Sequence, residues 1–403
     1  MTLATQPTAK PSGELRRAYW GTSAAFFFSG LLLSTWLARI PAVKENTGLA
    51  AGTLGSVMMV SVLGSLLSMQ VAGRLIGMLG SRAAVRISLP VAALALWTTA
   101  LARDGVQLSL ALLVFGLADG LLYVAMNVQG VEIERRSARP CLSVFHAAWS
   151  IGALAAAVFA SGFTWAGWSV NGHFLGVAVF TAALSVLLLR GLLLTEPEDD
   201  RGFAPEERGK GGRWNRKIAL LGGLGLCCLV AQGALEDWGA VFITEDLHGS
   251  PFTATIGFTV FCAALTLGRL AGDRLRARFE TTQLLRAFAA MAVAGLAVSL
   301  VSWTSTGSVI GFGLFGWGLS ILDPIISSAA GHSAEGREKE TAAAVSQVAM
   351  LGHTGLLLGP PAIGWLSELV GLRSALIVPG VLVLIVGAGA SFIARAFPDT
   401  AEK

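Results

Sequence analysis

Carboxylate side chains occur inside long apolar stretches of this sequence, where a charge is costly. Asp119 interrupts the run from 106 to 128, and the adjacent pair Glu236 and Asp237 interrupts the run from 218 to 243. Hydrocarbon cannot solvate an ionised group, so each must face protein or a water-filled cavity. Binding and releasing a proton is chemistry that suits such a site, and Asp119 is the first candidate carrier. The alternative is a structural carboxylate that only bonds to a neighbouring helix.

Other residues could share this proton chemistry. Adjacent residues on a helix point about 100° apart, so only one of Glu236 and Asp237 can face a cavity directly. His146 and His353 lie near the starts of apolar stretches and could titrate near neutral pH, although a buried, hydrogen-bonded histidine is the alternative. The proton-coupling candidates are Asp119, Glu236, Asp237 and His146.

Amides and aromatic rings inside the apolar stretches could bind a solute. Amides donate and accept hydrogen bonds, as sugar hydroxyls require, and aromatic faces suit sugar rings or flat drugs. Contacts between helices are the alternative role for all of them. Asp323 precedes Pro324, which predicts a bond to an arginine or to a backbone group that the proline frees. The cavity candidates are Tyr123, Asn127, Gln129, Trp149, Gln232, Trp238, Trp36, Trp317, Asp323 and His353.

The composition predicts a membrane protein. Only 13% of the 403 residues are charged and the mean hydropathy is +0.68, whereas soluble domains carry about 25% charged residues. The sequence lacks a GxxxxGK[ST] phosphate loop, so ATP is not expected as the energy source. It also lacks a Ser-His-Asp elbow, a metal cluster and a nucleotide fingerprint. We therefore expect no enzyme activity, no cofactor, no metal and no nucleic-acid partner.

Apolar stretches of about 20 residues predict twelve transmembrane helices in an all-α fold. They are 18–38, 47–71, 87–102, 106–128, two within 140–189, 218–243, 252–270, two within 286–328, 342–366 and 374–394.

A charged segment at 195–217 divides these stretches into two groups of six and predicts a cytoplasmic linker. The halves, 18–194 and 218–394, contain matching motifs, which predicts two pseudo-symmetric six-helix bundles. Gly73-Arg-Leu-Ile-Gly77 recurs as Gly268-Arg-Leu-Ala-Gly272 at a spacing of 195, and Phe115-Gly-Leu recurs at Phe312 at a spacing of 197.

Most of the 29 Lys and Arg residues lie on one side of this predicted topology. Because positive charge favours the cytoplasmic side, both termini, 1–17 and 395–403, are predicted to be cytoplasmic.

These features resemble the major facilitator superfamily, whose loop after span 2 reads roughly G-x-L-a-D-r-x-G-r-[KR]. The sequence here is Gly73-Arg-Leu-Ile-Gly77-Met-Leu-Gly80-Ser-Arg82, with Gly77 at the acidic position. In the second half an acid, Asp273, comes one place later. The resemblance implies cytoplasmic gating by these loops and by nearby ion pairs. The gating candidates are Gly73, Gly77, Gly80, Arg82, Glu132, Arg135, Gly268, Arg269, Asp273 and Arg274.

Within the superfamily the sequence looks most similar to the fucose-permease-like branch. The segments that carry this are Arg39-Ile-Pro-Ala-Val-Lys44, Ala125-Met-Asn127-Val-Gln129 and Glu236-Asp237-Trp238. In those relatives an acid often lies one helical turn before the span-4 Asn, where this chain has Tyr123.

The resemblance implies a monomeric secondary transporter of the bacterial inner membrane. Its partners would be lipids, protons and a small-molecule substrate, and a small polar or sugar-like solute is expected. A proton-driven exporter of drugs or metabolites is the alternative. A third reading, from a different class, is a non-transporting receptor or scaffold on the same fold.

Overall fold

The computed structural model describes residues 13–137, 141–193, 216–333 and 338–396. The predicted linker 195–217 lies outside these ranges except for its last two residues, which begin a helix. Most of 1–17 and of 395–403 also lies outside them. The regular secondary structure in the described ranges is helical.

The described part of the first half contains six long α-helices, one short α-helix and a 3₁₀ turn at Leu189–Gly191. The short helix, α2, follows α1 directly, and its eight residues are too few to cross a bilayer. The helices are α1 Gly13–Ala38, α2 Ile40–Thr47, α3 Ala51–Leu79, α4 Ser81–Leu101, α5 Gly105–Ser137, α6 Leu142–Trp165 and α7 Val170–Leu188.

The second half repeats this order but breaks two of its spans. A proline has no N–H to bond the carbonyl four residues earlier. Pro324 and Pro379 fall four residues after Ser320 and Ala375, where the breaks occur. The helices are α8 Arg216–Glu245, α9 Pro251–Arg276, α10 Thr281–Val301, α11 Ser305–Leu319, α12 Leu322–His332, α13 Glu338–Val370, α14 Leu372–Ala375, α15 Ile377–Ala388 and α16 Ala390–Ala394.

Ten helical segments of the described chain are long and apolar enough to cross a bilayer, and one of them joins α11 to α12. The helix α13 and the run from α14 to α16 supply the other two spans. The predicted all-α fold of twelve spans in two six-helix bundles is therefore confirmed.

The two halves repeat at a spacing of 200 residues. The helices α3 and α4 begin at 51 and 81, and their counterparts α9 and α10 begin at 251 and 281. The turns before α3 and α9 agree, because Gly48 and His248 both have positive φ, +63° and +50°. The motif spacings of 195 and 197 are therefore out of register with the helices. Short glycine motifs can match at several places along a glycine-rich helix, whereas helix ends cannot.

The repeat is visible where the second and fourth spans of each half cross. A Cβ at Gly120 of α5 would lie 2.2 Å from Ser68 Oγ of α3, and a Cβ at Gly268 of α9 would lie 2.2 Å from Ser320 Oγ, just after α11. Residues 68 and 268 correspond, as do 120 and 320. The serine is therefore on the second span and the glycine on the fourth in the first half, and the reverse holds in the second half. One small residue facing another lets the backbones approach closely in both halves.

Gly116 tests this packing, because a Cβ there would lie 1.9 Å from the backbone oxygen of Ser61. We expect Gly116→Ala to destabilise the protein by about 1–3 kcal/mol, since a backbone cannot move aside as a flexible side chain can. Thermal unfolding in detergent micelles measures this. Gly176→Ala in α7 is the control, because no described atom beyond its chain neighbours and its own helix backbone lies within 4 Å of its Cβ position. Equal melting temperatures for the two variants would contradict the packing described here.

Candidate functional site

The two halves meet at one end of the molecule, which we call the closed end; it is formed by residues 39–56, 157–168, 244–259 and 360–368. The hydrogen bonds between the halves that the structure describes all lie there. Lys44 pairs with Glu245. The amide of Gly52 donates to Glu368 at 2.8 Å, and Trp365 Nε1 donates to Ser56 at 3.1 Å.

Two seams seal the closed end, and they do so differently. Between α3 and α13 the backbones touch, since a Cβ at Gly55 or Gly364 would lie 2.6 Å from a carbonyl oxygen of the other half. Between α6 and α9 the corresponding positions are Thr255 and Thr164, whose hydroxyls are 2.9 Å apart. An apolar cluster of Ala38, Ala157, Ala160 and Phe258 adds to this second seam.

Beyond the closed end the same helix faces separate. On α6, Thr164, Ser161 and Ala157 contact α9, whereas His146, on the same face nearer the other end, is exposed. On α9, Thr255 and Thr259 contact α6, and Arg269 on that face is exposed. We call the space between these faces, bordered also by α5 and α8, the central gap.

Asp119 lies in the first half near the middle of α5, about 21 Å along the axis from Gly105. It is half-buried, and its carboxyl faces Ser29 of α1. Tyr123, which is 44% exposed, and Asn127 follow at four-residue intervals, and Asn127 Nδ2 donates to the Tyr123 carbonyl. This stripe lies between the α5 faces packed on α1 and on α3. Both of those helices reach the second half, so the stripe faces the central gap.

The second half contributes a chain of polar groups to the gap. Gln232 Nε2 of α8 donates to Glu236 Oε1 at 2.9 Å, and Arg269 Nη2 of α9 donates to Gln232 Oε1 at 3.2 Å. The amide therefore links the guanidinium to the carboxylate. Asp323, in the first turn of α12, lies near Cys228 of α8.

Several predicted cavity residues are placed in packed surroundings instead. Gln129 is fully buried, and its amide bonds Ser81, the Leu193 carbonyl and the Leu193 amide inside the first half. Asp237 is only 8% exposed, and Trp238 is fully buried, with no hydrogen-bond partner for its Nε1 among the described residues. Trp36 is also buried.

Two more tryptophans are half-buried at helix crossings. The carbonyl of Trp149 meets Gly30 of α1, and the carbonyl of Trp317 meets Gly268 of α9. The side chains of His353 and Asp273 lie outside the described part of the chain.

The predicted gating motif is largely helical rather than a loop. Gly73 and Gly77 lie within α3, which continues to Leu79, and Gly268 to Arg274 lie within α9. Glycine in the interior of a membrane helix does not by itself end it. Gly80 does end α3, because it takes a positive φ of +79°.

The charged gating candidates bond within the first half. Arg82 donates to the Arg190 carbonyl after α7, and Arg86 on the same helix donates to that of Leu189. Glu132 pairs with Arg135 and Arg136 of its own helix.

Sequence reasoning missed the charged groups of the closed end. Arg39 is 6% exposed, donates to the Trp168 carbonyl at 3.2 Å, and borders a cavity of about 600 Å³ between the halves. Burial lowers the pKa of this guanidinium to about 10. The Lys44–Glu245 pair is missed for a simple reason, since its members are 201 residues apart.

Known proteins are similar to this chain in sequence over most of its length. A model of the Major Facilitator Superfamily matches residues 22–350 and 238–403. An uncharacterized MFS-type transporter of Yersinia pestis is 32% identical over 93% of this chain and 95% of its own length.

Among solved structures, the nucleoside transporter NupG superposes with a TM-score of 0.75 at 12% identity, covering 93% of this chain and 98% of NupG. The E. coli fucose:proton symporter FucP gives 0.59 at 19%, covering 93% and 98%. At these identities the superpositions show a shared fold.

The glycine seam provides a test of the closed end. A Cβ at Gly364 would lie 2.6 Å from the Ala51 carbonyl. A Cβ at Gly359 in the same helix would have no described atom within 4 Å beyond its chain neighbours and its own helix backbone. We expect Gly364→Ala to cost the closed arrangement about 1–3 kcal/mol and to favour separation of the halves there. Spin labels at the exposed residues Asn46 and Ser250 should then show a longer distance component by electron paramagnetic resonance. Gly359→Ala should leave the distribution unchanged, and a Gly364→Ala distribution identical to it would contradict the seam.

Proposed function

Because the chain belongs to the major facilitator superfamily, we propose that it is a proton-coupled secondary transporter that carries a small polar solute by alternating access. Membership of this family confirms the expectation of a multi-pass membrane transporter rather than an enzyme. The coupling ion, the solute and the likeness to the fucose-permease branch belong to the proposal.

The observation that carries the proposal is the contrast between the two ends of the molecule. Seams on both sides seal the closed end, while the central gap opens toward the other end with polar groups on its walls. Alternating access requires a state of this kind and its reverse. The excess of Lys and Arg on the side of the predicted linker supports a cytoplasmic opening of the gap, with both termini cytoplasmic.

The proton carrier is Asp119. It lies at mid-depth on the stripe that faces the gap, its described side-chain partner is the neutral Ser29 hydroxyl, and a proton can therefore bind without breaking an ion pair. His146 and Glu236 border the same gap and are the further candidates.

The polarity of the gap supports a hydrophilic solute. Asn127 and Gln232 on opposite walls offer hydrogen bonds, and Tyr123, which is 44% exposed one turn before Asn127, adds a hydroxyl group to the first-half wall. The fold that the chain shares with the fucose:proton symporter FucP and the nucleoside transporter NupG, both named for polar solutes, supports the same class.

Substitution of Asp119 by Asn tests the carrier. In proteoliposomes, the wild type should accumulate its solute under an inward proton gradient, and Asp119→Asn should lose accumulation but keep solute exchange at equal pH on both sides. The reason is that an asparagine amide can still form hydrogen bonds in the gap but cannot bind and release a proton as a carboxylate does. Asp104→Asn, at an exposed helix cap, is the control and should behave as wild type because asparagine also caps helices.

The solute itself is found by screening hexoses, sugar acids, nucleosides and amino acids with a pH-sensitive dye inside the vesicles. Proton entry that depends on one solute supports the proposal. Export driven by the gradient would favour the drug or metabolite exporter instead, and solute binding without flux would favour the receptor. Retained accumulation in Asp119→Asn would remove Asp119 from the mechanism.

A further inference from the structure

Arg269 is a cation placed within a membrane span. It lies in the apolar segment Pro251–Gly272 of α9, on the face that turns toward the first half, and its side chain is exposed. A charge inside an apolar span must face protein groups or water, and Arg269, three residues before the end of this segment, is near enough to the helix end to reach water. Arg269 was expected to gate the cytoplasmic end, and its position also makes it part of the wall of the central gap.

The guanidinium has donors to spare. Its described hydrogen bond goes to Gln232 Oε1, which is uncharged, and within the described residues no carboxylate lies within 4.0 Å of it. A guanidinium carries five N–H donors in a planar fork that matches a carboxylate. Among the described residues, most of these donors have no protein acceptor and are available to water or to a ligand in the gap.

On these grounds we propose that Arg269 binds the substrate and that the substrate carries a carboxylate group, as a sugar acid does. The inference rests on the proposed transport function and narrows its solute. The carboxylate forms a two-point contact with Arg269 on the second half. The hydroxyl-bearing remainder lies toward Tyr123 and Asn127 on the first half.

The neighbouring acids explain how such an anion would be coupled to protons. Glu236 is joined to Arg269 through Gln232, Asp323 lies near the same part of α8, and Asp119 and His146 border the gap from the first half. An ionised Glu236 repels a bound carboxylate, whereas a protonated one does not. Binding of the anion and of the proton therefore favour each other, and by linkage the effect is reciprocal.

Binding to purified protein in detergent tests the inference with chemically matched pairs. The pairs are hexuronates with hexoses and aldonates with alditols, which share hydroxyl groups and differ in the carboxylate. At least one carboxylate should raise the melting temperature more than its neutral partner, and more strongly at lower pH. If no carboxylate does so, or if the neutral partner raises the melting temperature by the same amount, the inference is overturned.

Variants then assign the effect to the residue. Arg269→Gln should weaken binding of the carboxylate about 10- to 100-fold, because charge-assisted hydrogen bonds are lost. Arg269→Lys should weaken it about 10-fold, since the charge remains and the fork does not. Arg278→Gln, exposed just past the end of α9, removes the same charge outside the gap and should bind as wild type.

The folding of each variant is checked by its melting temperature without ligand. If Arg269→Gln does not fold, Arg269→Lys decides the matter, and undiminished carboxylate affinity in that variant overturns the inference. The failure of the inference is distinguishable from failure of the transport function. A protein that carries a neutral solute with protons, independently of Arg269, keeps the function and loses the anion site. A protein that binds carboxylate through Arg269 without flux loses the function alone.

Discussion

Backbone contact between α3 and α13, at Gly55 and Gly364, is the constraint on which the rest of the arrangement depends. With no side chain at either position, the two halves approach until carbonyl groups meet Cα atoms. This contact holds the two halves together at the closed end, whereas the helix faces that carry His146 and Arg269 beyond it are exposed.

The second seam shows that duplication of the halves did not fix their chemistry. Thr164 and Thr255 occupy the positions of Gly364 and Gly55, and they close the contact between α6 and α9 with a hydrogen bond instead of backbone packing. A hydroxyl pair can exchange its partner for water when the halves part, at little cost in free energy. The α3–α13 seam combines its backbone contact with the hydrogen bonds from the Gly52 amide to Glu368 and from Trp365 to Ser56. The molecule thus closes one end with two seams of different composition.

The sequence predicts the spans well, because about 20 apolar residues in a row have few alternatives. It also identifies Asp119 and Glu236 as unusual, since any charge stands out in such a run. The register of the repeat and the buried position of Gln129 could not be predicted this way. The sequence pattern around an amide in an apolar helix is the same whether the amide faces a cavity or, as here, bonds the Leu193 backbone. That distinction depends on the angle of each face to its neighbours, which a single sequence does not give.

The charged residues of the gap do not follow the pseudo-symmetry of the two halves. At the spacing of 200, Arg269 corresponds to Met69, Glu236 to Trp36, and Asp323 to Tyr123. The second half has therefore acquired a guanidinium and two acids where the first half has apolar or aromatic residues. The first half has Asp119 where the second has Leu319. A symmetric gap would hold a solute in either of two orientations. The two walls differ instead: the second half contributes Arg269, Glu236 and Asp323, and the first half contributes Asp119 and His146. An asymmetric set of charged groups removes this ambiguity, because the two ends of a bound solute then meet different groups.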